Sequence, residues 1–152
     1  MTLSTILCPL DFSAASSGLV AYAAALAVAT GAELRLLHVC EPQEDSTGRR
    51  PGTAASAYPV PCAERLNGLR AAAEQAGVAR VHAGIVQGEA APAIVAEASR
   101  QQADLIVIGA HGQTGLTRFL MGTTAEIVLR TARCATMLVR DACPPETDEA
   151  RT

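Results

Sequence analysis

The chain contains no lysine: all twelve of its basic residues are arginine. A P-loop without its lysine, a Schiff-base enzyme without its amine and a protein kinase without its strand lysine are all excluded on that ground. Tryptophan is absent as well and aromatic residues make up only 3% of the chain, so stacking platforms for single-stranded nucleic acid are poorly supplied. The net charge of −3 offers no bulk attraction to nucleic-acid phosphates or anionic lipid, and neither partner is expected. No apolar run approaches the roughly 20 residues that span a bilayer, and the opening residues lack the basic stretch of a secretory leader. The five cysteines, Cys8, Cys40, Cys62, Cys134 and Cys143, form no C-x-x-C pair, which argues against a zinc or thioredoxin-type site. A reducing, cytoplasmic location with thiols packed as small hydrophobes is the simplest expectation. Cys8 and Cys40, near the ends of the first two strands, are expected to lie near each other, with packing favoured over a redox role.

What is present suits one domain with a single core: 152 residues, 49% of them hydrophobic and 18% charged. Residues 1–142 are expected to form it, with 143–152, carrying Pro144-Pro145 and several acidic residues, as a disordered acidic tail. Residues 5–10 read as a buried strand whose ladder should stop at Pro9. Ser13 is a plausible N-cap for a helix through Leu19, Val20, Ala23, Leu26 and Ala27, ended by Gly31. Residues 33–40 form a second strand. From 41 to about 61 the composition turns to Pro, Gly, Ser and charged residues without periodicity, so a lid or an exposed insert is expected there, and both readings stay open. A helix over 62–75 carries Leu66, Leu69, Ala72, Ala73 and Ala76 on one face, with Gly77 as its stop. A strand over 80–86, a helix over 90–102 and the continuously apolar strand 104–109 follow. A Gly- and Thr-rich loop then leads to a helix from 123 or 124 to 132 and a last strand over 135–140. This alternation predicts an α/β domain: a single open five-stranded parallel sheet with helices on both faces, Rossmann-like, and a ligand crevice at the reversal of strand order.

If strands one and four are the central pair, two segments reach that crevice: Pro9-Leu-Asp11 and Gly109-Ala-His-Gly112, the latter continuing to Gly122-Thr123-Thr124. Glycines at 109, 112 and 122 let the backbone turn sharply and present successive N–H groups, and a helix starting at Gly122 adds free donors and a dipole that favours anions. A phosphate chain fits such a cradle without a lysine. Alternatives stand beside each residue. Asp11 also suits a helix-terminal carboxylate, and Gly109 and Gly112 suit simple turns. Thr123 serves as N-cap and phosphate ligand through the same hydroxyl. Arg118 either neutralises phosphate or lies in solvent, and His38 and His82 read as strand residues. His111 has no partner carboxylate or nucleophile that the sequence places, so no catalytic residue is assigned.

Across roughly residues 3–140, from Ile6-Leu-Cys-Pro-Leu-Asp-Phe-Ser13 through Leu36-Leu-His-Val39 to Ala135-Thr-Met-Leu-Val-Arg140, the sequence resembles the universal stress proteins. The most specific part is Gly109-Ala-His-Gly112 with Gly122-Thr123, which resembles the G-x2-G-x9-G-(S/T) signature of their ATP-binding branch. Thr stands at 123 where Ser is also found, and Ala135-Thr-Met stands where a Pro-Val type pair is common. The resemblance implies a homodimer pairing through the last strand, residues 135–140, and ATP, with Mg²⁺ as its counter-ion, in the crevice. It implies that Pro9 and Asp11 lie on the ribose and adenine side and that the Val39 backbone meets the adenine edge. Gly109, His111 and Gly112 would line the triphosphate, and Gly122, Thr123 and Thr124 would hold it. It implies a nucleotide-dependent regulator with little or no turnover. A slow ATPase or phosphotransfer enzyme and a nucleotide-free interaction module are the competing expectations.

Overall fold

The computed structural model describes residues 3–13, 15–40, 60–110 and 123–140. The order of elements is β1 (Thr5–Leu10), α1 (Ser16–Thr30), β2 (Glu33–Cys40), α2 (Val60–Gln75), β3 (Val81–Gln87), α3 (Ala90–Arg100), β4 (Leu105–Gly109), α4 (Thr123–Thr131) and β5 (Ala135–Val139). All neighbouring strands pair in parallel, in the order β3-β2-β1-β4-β5. The expected doubly wound sheet is therefore what forms.

The strands are apolar on both sides because both sides are covered. Alternate residues feed two separate layers. Ile6, Cys8, Leu34, Leu36, Leu105 and Val107 pack with α1 and α2, while Leu7, Leu37, Ile106 and Ile108 pack with α3 and α4. The helices change sides because the chain winds outward through β1, β2 and β3, then returns past β1 to β4 and continues outward the other way. Right-handed crossovers in opposite directions must lie on opposite faces. The reversal falls between β1 and β4.

Helix ends follow the chemistry of single residues. Gly31 closes α1 in the left-handed region at φ 75°, its N–H donating to the Ala27 carbonyl at 2.8 Å, and Gly77 at φ 107° ends the turn after α2. The start of α1 departs from expectation. Ser13 is not its N-cap; Ala15 holds that position and offers no side-chain hydrogen bond. Asp11 organises the entry instead, as its Oδ1 accepts from the Ser13 N–H at 2.9 Å and from the Ser16 hydroxyl at 3.4 Å. On α2, Leu66 and Ala73 are buried and Leu69 is partly so, but Ala72 and Ala76 are exposed, since α2 meets the sheet along a narrower stripe than the sequence suggests. α3 ends at Arg100 rather than residue 102.

Candidate functional site

The backbone of a strand between two parallel neighbours points alternately at each. The Ser4 carbonyl accepts from the Glu33 N–H on the β2 side at 2.9 Å, and the Thr5 carbonyl accepts from the Asp104 N–H on the β4 side at 2.9 Å. Odd residues of β1 therefore face β4, and Pro9 is odd. Its missing N–H is missing on the β4 side, so the β1–β4 ladder runs only over Ile6↔Leu105 and Leu7↔Ile106. The ladder to β2 uses the even residues and continues undisturbed to Leu10↔His38. Proline thus ends one of two ladders, and the unpaired stretch lies at the carboxyl end of the sheet, at the reversal of strand order, where ligands bind in open α/β sheets.

Four of the residues singled out from sequence stand along this end of the sheet. Pro9 is buried in β1, and Asp11 follows its last residue with its carboxylate tied into the turn towards α1. Val39 lies near the end of β2, opposite Val86, with its side chain packed towards the α3 and α4 layer. Gly109 ends β4 opposite Val139, and the next N–H, that of Ala110, donates to the Val139 carbonyl at 2.9 Å. Thr123 and Thr124 open α4, exposed and half-buried respectively. Since Thr131 at the far end of α4 leads directly into the amino end of β5, α4 begins towards the same carboxyl end of the sheet. His111, Gly112 and Gly122 lie outside the described residues, as do Arg118, the stretch 41–59 and the tail 143–152.

One feature beside Asp11 was not foreseen from sequence. Phe12 adopts φ 59°, a left-handed conformation that costs a bulky residue about 1–3 kcal/mol and has to be held by its surroundings. Three contacts hold it. The buried ring stacks on His38 at 4.2 Å between centroids and 27° between planes, and the Arg65 guanidinium lies 4.9 Å from the ring centroid. Arg65 Nη2 also donates to the Phe12 carbonyl at 2.6 Å. His38 Nδ1 faces the Leu10 carbonyl at 2.9 Å; a carbonyl can only accept, so this nitrogen carries the proton and donates. The stack locks the chain immediately after β1 and so fixes where Asp11 points. A shallow hollow of about 320 Å³, lined by residues including Phe12, Ser16, Arg65 and Leu69, adjoins it between α1 and α2. The only sequence signal was His38 two residues from the end of a strand, and it becomes meaningful only with the register Leu10↔His38.

The chain matches the profile of the universal stress protein family over residues 2–140. It belongs to that family. A universal stress protein of Thermus aquaticus is 34% identical over 136 residues, covering 90% of this chain and 98% of the relative. One from Methanocaldococcus jannaschii is 40% identical over 77 residues, 51% of this chain; that match spans only 45% of the relative. Among solved structures, a universal stress protein in complex with cAMP superposes with a TM-score of 0.72 at 24% identity, covering 92% of this chain and 98% of that one. A universal stress protein from Archaeoglobus fulgidus in complex with dAMP does so with 0.67 at 20%, covering 92% and 100%. These likenesses establish the universal stress protein fold.

Two side expectations are corrected or narrowed by the structure. Cys8 pairs with Leu36 in the β1–β2 register, four residues short of Cys40, so the two thiols are not neighbours. Burial pushes the Cys8 thiol up to about 12, which leaves it a packed hydrophobe. His82 on β3 is half exposed, with Nε2 at 3.6 Å from Glu33 Oε2. No described helix is long and apolar enough to cross a membrane.

Proposed function

We propose that this universal stress protein is a nucleotide-dependent regulator that holds ATP in the crevice between β1 and β4, with little or no turnover, in the cytoplasm. The observation that carries the reading is the β1–β4 ladder ending at Leu7↔Ile106, because the Pro9 nitrogen facing β4 has no hydrogen to give. That opening has Asp11 on one wall and Gly109 on the other. Asp11 and the Val39 backbone suit the ribose and adenine side, and Pro9 leaves β1 and β4 without a ladder hydrogen bond between them. Gly109, His111 and Gly112, with Gly122, Thr123 and Thr124 at the start of α4, suit the phosphates through backbone N–H groups and hydroxyls. Relatives of the same fold in complex with cAMP and dAMP support recognition of an adenine nucleotide. Mg²⁺ would accompany the ATP as its counter-ion, with phosphate oxygens and water as ligands. The absence of lysine argues against fast phosphoryl transfer.

The test is thermal unfolding of the purified chain with and without Mg-ATP, with GTP and AMP as controls. ATP at a hundred times its Kd stabilises by about 2.7 kcal/mol and raises Tm by several degrees. Gly122→Val is expected to weaken ATP by more than the roughly tenfold that about 1.4 kcal/mol represents. An unmoved Tm, in protein shown to carry no co-purified nucleotide, overturns the reading and favours a nucleotide-free interaction module. Pairing of two copies through residues 135–140 belongs to the same proposal. It is supported by the position of β5 at the edge of the sheet, beside the exposed Ile127 and Leu129 of α4. Sedimentation at micromolar concentration tests it, and a monomer there would refute it.

A further inference from the structure

Alternation along β2 puts Cys40 on the same side of the sheet as Leu34 and Leu36, the side that α1 and α2 cover. Cys62, in the first turn of α2, stands one helical turn before Leu66, which is buried in that same layer, and Cys62 itself packs against it. Two cysteines from different elements therefore converge on one face at the carboxyl end of β2, close enough for the Cys62 thiol to act on that of Cys40. Both are free and only partly buried, unlike the enclosed Cys8. Neither has a role in the nucleotide crevice.

We propose that Cys40 and Cys62 form a redox site that closes to an intramolecular disulfide on meeting a small-molecule disulfide such as oxidised glutathione. Closure brings the two sulfurs to the S–S distance of about 2.05 Å. The exchange balances in two steps. Cys62 loses its proton, and its sulfur attacks one sulfur of the oxidant; the oxidant's S–S bond breaks and one glutathione leaves, taking up a proton. The Cys40 sulfur, its proton passing to solvent, then attacks Cys62 Sγ, the mixed disulfide breaks, and the second glutathione leaves and is protonated. Two electrons pass from the protein thiols to the oxidant. Burial, together with the Cys62 thiol beside it, pushes the Cys40 thiol above the ordinary cysteine range, so Cys62 makes the first attack and Cys40 follows in the intramolecular step, where proximity offsets its smaller thiolate fraction. The bond joins the last residue of β2 to the first turn of α2 and covalently ties both ends of residues 41–61 to the described core.

The full chain, equilibrated across ratios of reduced to oxidised glutathione, trapped with an alkylating agent and digested with trypsin, tests this. Cleavage after arginine places Cys40 in the peptide 36–49 and Cys62 in the peptide 50–65. The expected result is a loss of two of the five alkylatable thiols and a 36–49/50–65 cross-linked pair from within one chain, two hydrogens lighter than its parts. Cys62→Ser is expected to abolish the link and Cys134→Ser to leave it. The mapping on the unsubstituted chain decides the matter even if a variant fails to fold. Thiols that stay alkylatable at every ratio, glutathione adducts that persist on Cys40 or Cys62 without closing, or links that involve other cysteines or a second chain would each overturn the proposal.

Discussion

β1 is paired with β2 along its whole length, from Thr5↔Glu33 to Leu10↔His38, and with β4 only at Ile6↔Leu105 and Leu7↔Ile106. Both neighbours are parallel and both are apolar, so the difference does not come from hydrophobic patterning. It comes from one missing hydrogen on the side of β1 that Pro9 presents to β4. A sheet can be continuous for packing and interrupted for hydrogen bonding at the same strand, and the interruption sits where the winding reverses. The amino ends of both ladders are, by contrast, pinned by carboxylates. Asp104 Oδ2 accepts from the N–H groups of Ser4 at 2.8 Å and Thr5 at 3.0 Å, and Glu33 Oε1 accepts from the Thr5 hydroxyl at 3.4 Å while Arg35 holds it at 2.9 Å.

This asymmetry can be broken from either end. The largest effect on stability is expected for Asp104→Ala, which leaves two backbone donors without their charged acceptor at the one place where β1 and β4 are still joined. A loss of about 2 kcal/mol, read from the midpoint of urea unfolding at unchanged slope, is expected. A loss under about 0.5 kcal/mol would mean that water replaces the carboxylate freely. Pro9→Val acts on the open end. It restores a donor facing β4, so the ladder should lengthen; hydrogen exchange should show a newly protected amide at residue 9, and ATP affinity should fall several-fold. Stability should change by less than about 1 kcal/mol, because the gained hydrogen bond offsets the greater freedom of the unfolded chain. An affinity equal to that of the unsubstituted chain would separate the ladder gap from nucleotide binding.

The smallest effect concerns the closed side. Burial works against the ionised Glu33, but the Arg35 hydrogen bond and the nearby Arg35, His82 and Arg80 charges outweigh it and hold its carboxyl below the usual glutamate range. A group whose pKa is lower when folded stabilises above its unfolded value, so the contribution is complete above about pH 5 and disappears as pH falls through the folded pKa. Glu33→Gln is expected to cost about 0.5 kcal/mol at neutral pH and to flatten the acid limb of the stability profile. A profile identical to that of the unsubstituted chain would show that the Arg35 pair contributes nothing net.

Most of the architecture was legible because it rests on local rules. Strand and helix order follow from the apolar runs at Ile6, Leu34 and Ile106 and from helical spacing such as Leu19, Ala23 and Ala27, and the stops at Gly31 and Gly77 follow from left-handed backbone that glycine adopts without strain. That Pro9, Asp11 and Gly109 stand together at the carboxyl end of the sheet was readable because strand ends at a reversal of winding converge whatever their side chains, whereas Val39 was named only through the family resemblance. What escaped depended on contacts between distant elements. The Phe12 stack needs Arg65 to arrive from α2 and His38 from β2, and without them neither the positive φ nor the displacement of the N-cap from Ser13 to Ala15 has a sequence signature. The same holds for cysteine neighbours: the sequence suggested Cys8 with Cys40, whereas the register separates those two and the docking of α2 brings Cys62 instead.

The sequence by itself determined the alternation of strands and helices, the two apolar faces of the sheet, the glycine positions that end elements, and the exclusion of lysine chemistry. These depend on residues a few positions apart, and that range is short enough for periodicity and backbone preference to decide. Only the tertiary structure decided that Pro9 turns its missing hydrogen towards β4 rather than β2, that Phe12 is locked beside Asp11, and that Cys40 meets Cys62. Each of these requires knowing which neighbour a backbone group or side chain faces, and that is set by strand order, register and helix docking rather than by distance along the chain.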